Sequence, residues 1–285
     1  MKTSTLANIF GIAAILSWGA LGLLGKLVSL LPASFVMTIC FLSAGLGGLL
    51  FCLKSKQRLE INWRIVLASI LITAYHLLYL ASFAYAPAVE VSLINYLWPA
   101  CLIVIGNMFF KLNSGWVGYV EASIGFLGVG ILVMPNAALS TAAAKITGYF
   151  LAFSAAVIWA VYSNFRRKET ALVIPSMTVI CLLAGCFCGI FLLFIEPQQF
   201  EVSTNEIIFL ILMSVGPAGG AFFAWDYGMR FGNAAMLTVL GFAAPVISTT
   251  LLIVTGFGSF EMRVLVAACL IAFAGWIMHH KKVDE

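Results

Sequence analysis

The chain has 285 residues, of which 63% are hydrophobic and 9% are charged. A soluble globular protein gives about a quarter of its residues to Asp, Glu, Lys and Arg, so this chain lacks the charge to coat a water-facing surface and reads as an all-α integral membrane protein. Ten spans of roughly 20 residues take about 200 positions, which excludes a separate soluble catalytic domain. The net charge of +4, from 15 Lys and Arg against 11 Asp and Glu, is too sparse for a phosphate-binding face, so the lipid bilayer is the expected partner and nucleic acid is not.

Long apolar runs cut by charge, proline or short polar clusters predict ten transmembrane helices, at 6–28, 33–53, 63–85, 89–110, 116–134, 146–166, 174–194, 206–227, 233–255 and 261–279. The first run has no small-residue cleavage site after a short apolar core and reads as a retained span. Cys40, Cys52, Cys101, Cys181, Cys186, Cys188 and Cys269 all fall in or at the ends of apolar runs, where free Cys behaves as a small hydrophobe. Neither a disulfide framework nor a thiolate metal site is indicated, and no His, Asp and Glu cluster has metal-ligand spacing.

An even number of spans puts both termini on one side. Lys and Arg in short loops collect on the cytoplasmic side. With cytoplasmic termini that side holds Lys2, Lys54, Lys56, Arg58, Arg64, Lys111, Arg166, Arg167, Lys168, Arg230, Lys281 and Lys282, and the other holds Lys26, Lys145 and Arg263. This bias predicts that both termini lie in the cytoplasm.

The two halves repeat. Sliding the second half back by 141 to 146 positions sets Trp18 over Trp159, Pro32 over Pro175, Pro99 over Pro245 and Gly130 over Gly275. Pro87 to Pro99 then runs without a gap against Asn233 to Pro245. Residues 1–140 and 141–285 are therefore expected to be two five-helix copies. Five is odd, so the second copy enters the membrane upside down. Inverted repeats about an axis in the membrane plane build transporters with a midplane site between the copies.

Polar and aromatic groups at depth are costly in hydrocarbon, so their positions are informative. In the first span Trp18 lies at mid-depth. In the third, Tyr75, Tyr79 and Phe83 recur every four residues with His76 beside them, and His76 is close to the midplane at 1.5 Å per residue. It is either a substrate partner or protonatable switch, or a neutral histidine satisfied by a neighbouring helix. In the fourth, Asn95, Tyr96 and Trp98 precede Pro99. A proline inside a helix removes a backbone hydrogen bond, which would free the carbonyl near position 95 to face a cavity. In the sixth, Trp159 and Tyr162 are i, i+3 neighbours; either the two form one aromatic wall, or Tyr162 is an interfacial anchor while Trp159 is too deep to be one. Pro217-Ala-Gly-Gly220 in the eighth span marks a hinge or kink, and Pro245 in the ninth, beside Gly241 and Phe242, matches Pro99. Trp63, Trp116 and Trp276 lie near span ends and read as interfacial anchors.

No carboxylate sits clearly at the midplane. Glu121 and Asp226 are within snorkelling reach of the cytoplasmic interface and Glu90 is near the opposite surface, so each is read as structural or gate-forming. No Lys or Arg is expected deep in the spans, which disfavours polyanionic substrates. Ring faces with a few amide, phenol and imidazole groups suit a neutral or zwitterionic small molecule with an apolar body.

The five-plus-five plan, the first helix with Leu16-Ser-Trp18-Gly19 and the Ala84-Tyr85 to Pro99 stretch resemble the drug/metabolite transporter superfamily (EamA-like) over nearly the whole chain. Within it, Leu93-Ile-Asn-Tyr-Leu-Trp-Pro99 together with Trp159 resembles the YddG-type aromatic amino acid exporters. The resemblance implies ten helices around a central cavity that Trp98 and Trp159 would line. It further implies a secondary transporter, not an enzyme and without cofactor, exporting aromatic or other apolar amino acids and related metabolites by alternating access. The competing expectation is a multidrug exporter of cationic or amphipathic drugs in the same superfamily.

Overall fold

The computed structural model describes residues 3–110, 116, 119–120, 123–124, 126–128, 131, 142–167, 169, 171–195, 199–232, 237, 240–241, 243–258, 262, 264–267, 269–270 and 273. The helices are α1 (Thr3–Gly19), α2 (Leu21–Leu27), α3 (Ala33–Lys54), α4 (Trp63–Ser82), α5 (Ala88–Asn95), α6 (Trp98–Phe110), α7 (Ala142–Arg167), α8 (Val173–Phe194), α9 (Thr204–Val215), α10 (Gly220–Phe231) and α11 (Ala243–Val254). Starts follow local chemistry. Asn62 Oδ1 accepts from the Ile65 amide at 3.0 Å ahead of α4, and Ser203 with Glu206 forms a reciprocal capping box ahead of α9.

Among the described residues, seven helical segments are long and apolar enough to cross a membrane: Ser4–Leu27, Ala33–Lys54, Trp63–Ser82, Ala88–Phe110, Lys145–Arg166, Val173–Phe194 and Thr204–Phe231. These match the predicted first to fourth and sixth to eighth spans, with the eighth running on past 227. The shorter apolar helix Ala243–Val254 falls in the predicted ninth span. The predicted spans at 116–134 and 261–279 lie largely outside the described residues.

Three segments are interrupted. The first breaks at Ala20, between α1 and α2, and the fourth breaks at Tyr96 and Leu97. The fourth departs from the sequence expectation. The Leu97 amide bonds to Ile94 O at 3.1 Å, α5 has already ended, and α6 starts at Trp98. Pro99 therefore sits in the first turn of a new helix, where its missing N–H is not needed, instead of breaking a helix interior. Pro245 is buried within α11. The eighth segment breaks at 216–219, where Ala218 N and Ala221 N reach back five residues, to Met213 O at 2.9 Å and Gly216 O at 3.0 Å. Only glycine fits there, since a Cβ at Gly219 would lie 1.9 Å from Ser214 O and one at Gly220 would lie 2.2 Å from Val215 O.

Small residues set how the helices meet. On α3 and α8, a Cβ added at Gly45 would lie 2.8 Å from Leu182 Cγ, and one at Gly185 would lie 2.7 Å from Leu42 Cγ. Leucine of each helix thus seats over glycine of the other. The pairing of 42 with 185 and 45 with 182 makes the helices antiparallel. α1 packs on α10, and α4 on α7. The fourth segment is the most enclosed, with every residue from 88 to 101 buried. Leu46, Leu50, Ile190 and Leu193 are exposed on the outside, as a lipid-facing surface requires.

Overpacking this contact separates two helices, so Gly45→Leu or Gly185→Leu should cost about 1–3 kcal/mol. Gly47 meets nothing within 4 Å, and Gly47→Leu should leave thermal unfolding of the detergent-purified protein unchanged. Equal melting of the Gly45 and Gly47 variants would contradict the packing described.

Candidate functional site

Trp159, near the middle of α7, is the ring around which the others gather. Its centroid is 5.6 Å from Trp18 on α1, 4.9 Å from Tyr75 on α4, 5.2 Å from Tyr162, 5.9 Å from Phe222 on α10 and 6.3 Å from Trp98 on α6. Trp225 closes the group, 5.0 Å from Trp18 and 6.5 Å from Trp98. Several pairs meet edge to face, the arrangement that ring quadrupoles favour. Trp18, Trp98, Trp159 and Tyr162, all expected from the sequence, come together here. Phe222 and Trp225 were missed. They carry the same i, i+3 spacing that marked Trp159 and Tyr162, just after the Gly219-Gly220 break.

Hydrogen bonds tie this group to the interrupted helices. Tyr96 Oη donates to Trp18 O at 2.9 Å, and Trp18 Nε1 donates to Pro217 O at 3.1 Å. Pro217 O needs that donor, because the Ala221 amide is committed to Gly216 O. Asn95 Nδ2 donates to Tyr75 Oη at 3.3 Å, and Asn95 Oδ1 is buried with no hydrogen-bond partner.

His76 lies 2.9 Å through Nδ1 from Ile72 O. A carbonyl accepts only, so Nδ1 carries the proton and Nε2 is an acceptor, also buried and without a hydrogen-bond partner. The partner is the histidine's own helix, not a neighbouring one, and half the ring's hydrogen-bonding capacity is left over. Phe41, Tyr75 and Phe222 surround it at 5.1, 4.5 and 5.3 Å. Tyr79 stands one turn further along α4. It stacks on Tyr75 at 6.1 Å, with its hydroxyl 3.3 Å from Ser92 Oγ, and makes a second layer beside the rings around Trp159. Phe242 lies outside the described residues.

Two ionic clusters flank the rings. Arg166 was counted with the loop charges, but near the end of α7 it is buried within the protein at 5% exposure. Its Nη2 bonds to Asp226 Oδ2 at 2.9 Å and donates to Ser176 Oγ at 3.1 Å. Arg230 Nη2 reaches the same Asp226 oxygen at 3.1 Å, and Arg230 Nη1 donates to Ala171 O. Asp226 is thus clamped by arginines from α7 and α10. At the other end of α7, Glu90 is buried too. Tyr149 Oη donates to Glu90 Oε2, and Lys145 Nζ lies 3.9 Å from that oxygen.

Comparison with known proteins finds a family and relatives over nearly the whole chain. The EamA-like transporter family model matches twice, at residues 5–134 and 146–279. The chain is 30% identical to the aromatic amino acid exporter YddG of Ancylobacter novellus, over 93% of this chain and 94% of that protein. It is 28% identical to the aromatic amino acid exporter YddG of Escherichia coli (strain K12), over 86% and 87%. A crystal structure superposes with a TM-score of 0.75 at 27% identity, covering 99% of both chains.

The Trp18 indole is the donor whose loss strands a carbonyl. Trp18→Phe should destabilise by about 1–3 kcal/mol through the unsatisfied Pro217 O, read as a lowered midpoint in thermal unfolding. A midpoint equal to wild type would show that the bond does not hold the break.

Proposed function

Because the chain belongs to the EamA-like transporter family, we propose that it is a secondary transporter that exports aromatic or other apolar amino acids and related metabolites by alternating access. The observation that carries this reading is the ring cluster centred on Trp159, bordered by two buried acceptors without partners, Asn95 Oδ1 and His76 Nε2. Ring faces bind an apolar side chain and attract an ammonium group. The two free acceptors suit the N–H groups of that ammonium. Trp98 stands furthest from Trp159 and Trp225, at 6.3 and 6.5 Å, and is the ring that shifts to admit a substrate and then packs against it. The relatives named aromatic amino acid exporters support the same substrate class.

The architecture that goes with this function is ten spans in two inverted copies, residues 1–140 and 141–285, in the bacterial inner membrane with both termini cytoplasmic. The double match of the family model supports it. So does the reciprocal seating of Leu42 on Gly185 and Leu182 on Gly45, which an axis between the copies would generate. Trp18 and Trp159, paired by the sequence repeat, also touch. In this arrangement Arg166 and Asp226 close the cytoplasmic side, Glu90 and Lys145 close the other, and Pro99, Pro217 and Pro245 mark where segments bend.

Proteoliposomes should take up radiolabelled phenylalanine saturably. Trp98→Ala should weaken apparent affinity by about 2 kcal/mol, the scale of a buried aromatic anchor, or roughly 30-fold. Flux equal to that of protein-free liposomes, or export of cationic dyes with no amino acid flux, would overturn the proposal.

A further inference from the structure

Beyond the ring cluster, the structure holds two enclosed guanidinium groups whose donors the fold does not all use. Arg166 and Arg230, at 5% and 17% side-chain exposure, share the enclosed Asp226, while Arg64, 4.0 Å from Glu169, is exposed. Arg166 and Arg230 both reach Asp226 through the single oxygen Oδ2, so neither is bound by the two-pronged contact that a guanidinium and a carboxylate favour. Arg166 Nε is buried with no hydrogen-bond partner. A buried donor left idle is costly unless an acceptor completes it, and a carboxylate is the acceptor a guanidinium favours.

The cluster adjoins the rings through both helices that carry it. Arg166 is one turn beyond Tyr162 on α7, about 6 Å along the axis, and Tyr162 packs on Trp159. Asp226 directly follows Trp225 on α10 and is one turn beyond Phe222. We propose that Arg166 and Arg230 form a capture site for the α-carboxylate of the amino acid, one step before the rings on the path from the cytoplasm. The incoming carboxylate takes the donors that Asp226 leaves over, while the side chain rests on Tyr162. The substrate then moves on to the rings, where its ammonium meets Asn95 and His76. This site rests on the transport reading above and specifies which end of the substrate is recognised first.

The test compares phenylalanine with phenethylamine, which lacks only the carboxylate, as competitors of phenylalanine uptake in proteoliposomes, with transport measured from the Arg166 side. Wild type should prefer phenylalanine by about tenfold or more, the scale of charge-assisted hydrogen bonds. Arg166→Gln should raise KM for phenylalanine and bring the preference below about threefold, with Arg166→Lys in between. A purely structural ion pair would lower kcat or yield without changing the preference. Should Arg166→Gln transport neither compound, Arg230→Gln decides by the same ratio. A wild-type ratio retained in the glutamine variant, or no preference in wild type, overturns the capture site alone. Absence of amino acid flux in wild type overturns it together with the transport reading.

Discussion

In hydrocarbon no water is available for an unpaired peptide group, so a helix that breaks inside the membrane must find its partners within the protein. Three segments here break, and Trp18 bonds to residues at two of the breaks. Its carbonyl accepts from Tyr96, at the interruption of the fourth segment, and its indole donates to Pro217 O, in the interruption of the eighth. Glycine permits the geometry at 219 and 220, and Trp18 satisfies what that geometry leaves over. The same contacts place α1, the α5–α6 junction and the start of α10 at one depth. This alignment lets rings from different elements converge on Trp159.

The ring cluster and the two ionic clusters share α7. Trp159 and Tyr162 occupy its middle, Lys145 and Tyr149 hold Glu90 near one end, and Arg166 holds Asp226 near the other. A tilt of this helix changes both ionic contacts and the ring spacing together. In the proposed mechanism, that linkage connects closure on one side of the membrane to substrate release on the other. Buried ion pairs suit such a role, because their desolvation cost offsets much of their attraction and the closed state need not be deeply stable. The leucine and glycine contacts of α3 with α8 are apolar and close, and give the moving parts a firm frame.

Span positions were legible because a membrane helix is specified by length and apolarity, and Ala33–Lys54 and Val173–Phe194 end within a residue of the expectation. Trp18, Trp98 and Trp159 were legible because an aromatic or polar group at mid-depth has no other evident use. Two features were harder to read. Pro99 looked like a helix-interior proline because the sequence does not show that α5 has already ended at Asn95. Arg166 looked like a loop charge because its partners, Asp226 and Ser176, are far off in sequence and only tertiary contact brings them together. Trp225 was hidden by its neighbour, since Asp226 resembled the end of a span.

The most direct test is a structure of the protein solved with phenylalanine bound. The account places the ligand ring against Trp159 with Trp98 moved aside, and the ligand nitrogen within hydrogen-bond reach of Asn95 Oδ1 or His76 Nε2. A ligand bound elsewhere, with the rings around Trp159 still in mutual contact, would contradict it.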